Sequence, residues 1–451
     1  MMGAPSAGVS DPNPAFQGFG APGAMPQKKK GMSKGMVIGL ASGGGLLLLL
    51  ILGLIYWLFM GGDSEVVDGG GGSGATASAP NAPPPFDPLS LVAPTDYVIA
   101  RVDTAAMMET PAFKGFTPEM IKRLSPPQTM GFENVVEAQP DQFDKAWFIG
   151  GVGDQNAETP TPKFVMFTKF KSAQARDQFY DSVMNPKGLD QLKQQGIQFD
   201  IPKPEVITFN DAQYAKMPPS FGMYKMDTDR LLMANESIVQ SVISGEKGSV
   251  NQSLIDKFKA HDGKGQIAAV FDITAVRDQL TTAFSGGQPD FDNGQPGAPN
   301  PDGPGNDPVG GAPGGSPDGQ SMFGNLKDLP NKINGGEVVI DFAGATLLHF
   351  KLQTTEEDSA NNINSLVQMG KGFGSMGINS ARTQAQDQPF KEAVLPLIDL
   401  ASKIVNGMNS NVEGTDLVLQ IAKPAELDNL AQMLSKMADV KEQMEADALQ
   451  N

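Results

Sequence analysis

Several groups of residues have types and spacing that could do chemistry. Asp290, Asp292, Asn293 and Gly294 start like a calcium loop, in which carboxylate and amide oxygens wrap a hard cation. Such a loop needs ligands at positions 1, 3 and 5, Gly at 6 and Glu at 12. Here the Gly comes one place early and the twelfth position is Pro301, so only weak, nonspecific attraction for calcium is left. Phe373-Gly374-Ser375-Met376-Gly377 approaches the Gly-x-Ser-x-Gly elbow that exposes a nucleophilic serine on a strained strand-to-helix turn. Its first Gly is replaced by Phe373, and a helix rather than a strand precedes it, so the strained turn is missing.

The bases available to such a serine are His261 and His349, the two histidines of the chain. His349 falls on a predicted strand with Leu347 and Lys351, and His261 sits in Ala-His-Asp-Gly-Lys-Gly, which reads as an exposed turn. Glu356, Glu357 and Asp358 form a carboxylate cluster, but at a predicted helix start, where the free amide groups and the helix dipole favour acidic side chains. Glu133 and Glu137, near Asp141 and Asp144, lie between strands, and an acid/base pair depends on the gap between them.

The 23 Met raise the question of soft-metal binding. Met437 and Met444 follow core spacing, and Met223 and Met226 fall on a strand, so flexible core filling accounts for them. Gly150 to Gln155 lacks the Lys and the helix of a phosphate loop. Asn235-Glu236-Ser237 and Asn251-Gln252-Ser253 fit the N-glycosylation pattern. No catalytic residue, cofactor-binding residue or metal ligand is assigned.

Composition narrows the classes further. The chain has 451 residues and a formal net charge of −17, a sign that disfavours nucleic acid, whose binding needs concentrated Lys and Arg. Cysteine is absent, which rules out disulfides, thiolate nucleophiles and Cys-based metal sites. A chain without such staples needs cores of adequate size.

The elements that would position these residues begin with Met36 to Met60, an uncharged apolar run. At about 1.5 Å per residue it is long enough to cross a hydrocarbon core of roughly 30 Å as a helix. Lys28, Lys29, Lys30 and Lys34 precede it and Asp63, Glu65 and Asp68 follow, which predicts a single-pass signal-anchor with the N-terminus in the cytoplasm. The expected partner of residues 36–60 is therefore the lipid bilayer, and the expected location the cytoplasmic membrane with the bulk of the chain extracytoplasmic. Gly35, Gly39 and Gly43 form a small-residue stripe that offers a face for weak self-association.

Residues 1–35 read as a disordered cytoplasmic tail, because Gly, Ala, Pro and Ser cannot offset the entropy of folding. Residues 61–85 read as a flexible spacer. Residues 86–285 and 321–451 read as two α+β units, separated by a Gly/Pro/Asp-rich linker or inserted loop at 286–320. Within the units one phrase recurs: a strand, a cap or Pro, then a helix. It appears at Lys163 to Met184, Arg230 to Ile243, Ala345 to Met369 and Thr415 to Met444, and suggests internal duplication. In the last strand Leu417, Leu419 and Ile421 alternate with Val418, Gln420 and Ala422. The fold class expected is α+β: an N-terminal transmembrane helix, then repeated antiparallel sheet units with helices packed on one face.

The arrangement Pro94 to Lys114 (PTDYVIARVDTAAMMETPAFK), strands near Lys145 and Lys163, and the hairpin Phe221 to Asn235 resembles a loose group of uncharacterised single-pass anchored or secreted bacterial proteins common in planctomycetes. The resemblance covers roughly 94–280 and 336–440, with later strand pairs such as GATLLHFKLQTTEED. It brings no catalytic residues with it. The function expected is a membrane-anchored extracytoplasmic binding or structural module, with an extracytoplasmic protein or glycan as partner. The alternative is a carboxylate-dependent extracytoplasmic enzyme acting on glycans. An extended sheet face or groove without titratable pairs would favour binding, and a concave cleft with two unpaired carboxylates would favour the enzyme.

Overall fold

The computed structural model describes residues 86–117, 119–120, 123, 140–152, 162–185, 204–218, 220–246, 248–278, 329–386 and 390–450. Twelve strands form one antiparallel sheet. In chain order they are β1 (Asp96–Asp103), β2 (Phe143–Gly151), β3 (Lys163–Phe170), β4 (Glu205–Phe209), β5 (Ala212–Met217), β6 (Phe221–Lys225), β7 (Arg230–Asn235) and β8 (Ile267–Asp272). Then come β9 (Ile333–Ile340), β10 (Thr346–Thr354), β11 (Met408–Glu413) and β12 (Asp416–Ala422). The spatial order is β11-β12-β10-β9-β8-β1-β2-β3-β7-β6-β5-β4.

That order repeats itself about its middle. The run β1-β2-β3-β7-β6 on one side is matched by β8-β9-β10-β12-β11 on the other, and only β4 and β5 lack a counterpart. The two runs join where β1 pairs antiparallel with β8, Ala100 facing Ala269 at the centre, Val98 facing Phe271 and Val102 facing Ile267. The register carries the match outward: Phe148 and Val338 sit beside Ala100 and Ala269, and Met166 and Phe350 follow. The strand order thus has a local two-fold between two runs of five strands in one continuous sheet, which the helices after β7 and β12 do not share.

Seven helices of six or more residues are described: α1 (Thr104–Glu109), α2 (Ala173–Met184), α3 (Glu236–Ser244), α4 (Gln252–Lys259), α5 (Glu357–Gln386), α6 (Lys391–Asn406) and α7 (Leu430–Gln450). Their starts follow capping rules. Asp103 accepts from the Ala106 amide, Ser172 from that of Ala175 and Asn251 from that of Leu254, satisfying donors that the first turn would otherwise leave open.

One face of the sheet carries α1, α2, α5, α6 and α7. Val102, Met107, Ile267, Val338, Leu348, Leu400, Leu419 and Leu427 pack together there in the second half, and Phe143, Phe170, Phe179, Met223 and Leu231 in the first. On the opposite face, among the described residues, the helices cover the first half: α3 and α4 lay Val239, Leu254, Ile255 and Phe258 on Ile99, Val165, Tyr214, Leu232 and Val270. Each such aliphatic or aromatic side chain contributes about 1.5–3 kcal/mol by leaving water. Gly222 lets α3 settle, since a Cβ at that position would stand 2.9 Å from Val239 Cγ2.

The structure corrects several expectations. Among the described residues no helix is long and apolar enough to cross a membrane. The described fold is therefore an antiparallel sheet with packed helices, and the single-pass signal-anchor topology, the lipid-bilayer contact and the membrane location are not carried forward. Residues 36–60, with Gly39 and Gly43, and Gly35 beside them, lie outside the described residues, as do the tail, the spacer 61–85 and the stretch 286–320. The helix expected to end at Met369 runs on to Gln386. Ala393, Val394 and Leu395 belong to α6, which holds Pro396 inside it, and Met408 opens strand β11.

Candidate binding face

The open half of the sheet's second face is built by β9, β10, β12 and β11. Strand alternation sends Leu348, Phe350, Leu417, Leu419 and Ile421 into the helix-covered core. The same alternation turns Glu337, His349, Lys351, Asp416 and Gln420 to the other side. Along β11 the exposed residues are Asn409, Asn411 and Glu413. This half stays open because of where the chain goes next. After β7 it enters α3 and α4 and covers its own strands; after β12, Pro424 leads through the turn Ala425–Asn429 into α7, and Leu427 and Leu430 pack on the other face.

The two-fold supplies a residue-by-residue comparison. Where the second half has Glu337, His349, Lys351 and Gln420, the corresponding places in the first half hold Trp147, Val165, Phe167 and Ala234. Val165 and Ala234 are completely buried. One copy of the face is apolar and covered; the other is polar and open.

The polar groups of the open face are organised around one carboxylate. His261, at the end of α4, places Nε2 2.7 Å from Glu337 Oε2, and His349 places Nε2 3.8 Å from Glu337 Oε1. Gln420 Nε2 lies 3.3 Å from His349 Nδ1; with the amide donating there, the ring's proton is on Nε2, toward Glu337. Beside them Lys351 Nζ stands 2.6 Å from Asp416 Oδ2, and that hydrogen bond, working against partial burial, raises the Lys351 ammonium above the ordinary lysine value. At the rim, the turn after α4 holds Asp262, whose Oδ1 is 2.5 Å from Arg101 Nη1, while Arg101 Nη2 donates to the Gly265 carbonyl at 3.0 Å. Arg101 is nearly fully buried, so the rim is pinned to β1 through Asp262 and to β9 through His261.

Chemically this is a surface of partnered charges and amides. Glu337 is met by His261, with His349 farther off, Asp416 by Lys351 and Asp262 by Arg101, and Glu413 accepts from Asn411 Nδ2 at 2.7 Å. Among the described residues no group of three or more His, Asp or Glu is placed to hold a metal ion.

The other residues singled out from sequence have structural places. Ser375 sits inside α5, its hydroxyl 3.5 Å from the Asn406 side chain, so there is no elbow. Glu357 and Asp358 lie in the first turn of α5, and Glu356 accepts from Ser359. Asp144 pairs with Lys169. Asp290, Asp292, Asn293, Gly294, Glu133 and Glu137 lie outside the described residues. Both glycosylation-pattern asparagines are built into the fold. Asn235 accepts from the Phe164 amide and donates to the Pro162 carbonyl, and Asn251 caps α4 while donating to the Asp96 carbonyl. His261 was read as an exposed turn residue and is instead mostly enclosed against Glu337. The signal that could have found the face is the run of polar residues at alternate positions, Glu337, His349-Lys351 and Asp416-Gln420, on strands whose other positions are apolar.

No protein-family model matches the chain, and no curated protein matches it. Among solved structures, crystal form I of TP0453 aligns over 77% of this chain and 96% of its own, at 10% identity and a TM-score of 0.31. Crystal form III of TP0453 aligns over 78% and 98%, at 10% identity and a TM-score of 0.32. Likeness at that level carries no argument about fold or function. The resemblance to single-pass anchored planctomycete proteins is corrected on these findings, since no family or relative supports it and no described helix spans a membrane.

Proposed function

We propose that the protein is a binding or structural module whose working surface is the open half-face formed by β9, β10, β12 and β11. The observation that supports this most is the contrast between the two halves: at matched positions one copy carries buried apolar residues under helices and the other carries Glu337, His349, Lys351 and Gln420 in the open. Val339 and Val418 are the apolar residues between these polar ones. A polar ligand meets amides at Asn409, Asn411 and Gln420 that hydrogen-bond in either direction. A glycan-acting enzyme finds no support, because among the described residues each carboxylate on the face already has a partner.

The test is site-specific photo-crosslinking from Asn411 in the full-length protein, with a control probe at the exposed Asp256 on α4. A species captured from Asn411 and not from Asp256 is then reconstituted with the purified protein. Combined Asn411→Ala and Gln420→Ala substitution is expected to weaken that binding about tenfold or more. Equal capture at both probes, or binding indifferent to the substitutions, would reject the face as the working surface.

A further inference from the structure

The chain contains two histidines in 451 residues, and both meet on Glu337. They come from different elements, His261 from the turn after α4 and His349 from β10, and they approach the two oxygens of the same carboxylate at 2.7 and 3.8 Å. Imidazole is the side chain whose ordinary titration falls between pH 5 and 8. We propose that this cluster makes the open face pH-responsive: proton uptake by the two imidazoles tightens them on Glu337 and locks the turn at 261–265 against β9 and β10. The proposal rests on the reading of that face as a binding surface and names its regulation.

The geometry assigns the two states. In the structure His261 Nε2 stands 2.7 Å from Glu337 Oε2, while His349 Nε2, at 3.8 Å from Oε1, is beyond hydrogen-bond distance, its other nitrogen engaged by Gln420. With protonated rings the first contact becomes a charge-assisted pair, and His349 is drawn to the second oxygen; such bonds are shorter and roughly twice as strong. The surrounding charges set how far this goes. Lys351 on β10 repels a charged His349 but is itself held by Asp416 on β12. In the turn Asp262 is engaged by Arg101 of β1, and Lys264 lies on the exposed side. On α4 and β8, Lys257 and Asp272 pair with each other at 2.6 Å, and Lys259, two residues before His261, is exposed. Two added positive charges on a face carrying Glu337, Asp416 and Glu413 against Lys351 also reduce its acidity, so a ligand chosen by charge would be held differently at the two pH values.

The experiment is hydrogen exchange on the full-length protein without ligand at pH 7.5 and 5.5, corrected for intrinsic exchange rates, with imidazole NMR signals followed in parallel. The backbone amides of 261–265 are expected to exchange about fivefold more slowly at pH 5.5. The difference is expected to disappear in Glu337→Gln and in His261→Gln/His349→Gln, with the rest of the exchange pattern unchanged. Equal protection at the two pH values, or a pH effect that survives either set of substitutions, would overturn the proposal. Because no ligand is present, failure here leaves the crosslinking test of the face untouched, and failure there leaves this one standing.

Discussion

Asp103 and Asp272 end the two strands that join the halves of the sheet, each three residues past the facing pair Ala100 and Ala269, and they make the same two contacts. One oxygen of each accepts from a downstream amide, Ala106 at 3.0 Å and Thr274 at 3.1 Å. The other meets a lysine, Lys145 at 3.0 Å and Lys257 at 2.6 Å. The lysines come from unrelated elements, β2 and α4. The repeat therefore preserves what the backbone needs at the strand end, a cap, while the partner that neutralises the charge has been recruited locally in each half.

The first prediction concerns that junction. Val102 and Ile267 face each other across β1 and β8, and both are buried. Ile267→Ala should cost about 2–5 kcal/mol from lost burial and the cavity left behind. Since β1 and β8 carry the hydrogen bonds that make the sheet continuous, the loss should appear in both halves. In urea unfolding, fluorescence of Trp147 and hydrogen exchange in β9, β10 and β12 should lose stability together. Separate transitions, with only the second half destabilised, would show that the halves do not unfold as one body.

A second prediction follows from the close approach of α3. Gly222 faces Val239 and Tyr214, whose nearest atoms would lie 2.9 and 3.3 Å from an added Cβ. Gly222→Ala should therefore destabilise by about 1–3 kcal/mol through overpacking. Adding Val239→Ala should return part of that loss, because the clashing methyl is then gone. Additive losses in a double-mutant cycle would mean that α3 shifts freely and that Gly222 has no packing role.

The third concerns pH. Asp96 is almost completely buried, with Oδ2 2.6 Å from Lys163 Nζ and 2.7 Å from the Ala93 amide, while Oδ1 has no partner. Burial raises its carboxyl above the ordinary aspartate value, the lysine opposing it. For an acid raised in the folded state, the stabilisation is complete below the unfolded pKa and is lost as pH rises through the folded one. Lys163→Met removes the opposing charge. It should cost about 3–5 kcal/mol near neutrality and should steepen the fall of stability with rising pH. Thermal melts from pH 4 to 8 would check this, and a flat profile in Lys163→Met would show that Asp96 is not desolvated. Asp96→Asn should remove the slope.

Much of the local structure was legible in the sequence. Alternation marked β12, because a strand with one buried face must repeat every two residues, and the phrases starting at Lys163, Ala345 and Thr415 begin within a residue of β3, β10 and β12. Three elements escaped for identifiable reasons. β11 is an edge strand of small polar residues, Asn409, Ser410 and Asn411, with almost no apolar contrast to read. β5 is short and polar at its start, and α4 shows its apolar side only once Leu254, Ile255 and Phe258 are laid on β1 and β8.

What the chain settled alone was the set of groups: two imidazoles, no thiol, an acidic balance and strands with one apolar face each. Those are properties of single residues and near neighbours, and periodicity carries them. Only the tertiary structure decided that the strands on both sides of residues 286–320 share one sheet, that α3 and α4 cover one half of its second face while α7 turns away from the other, and that His261 and His349 close on Glu337. Each of these depends on where a crossover lands after its strand ends. That landing is fixed by the summed burial of faces far apart in sequence, and no local pattern records it.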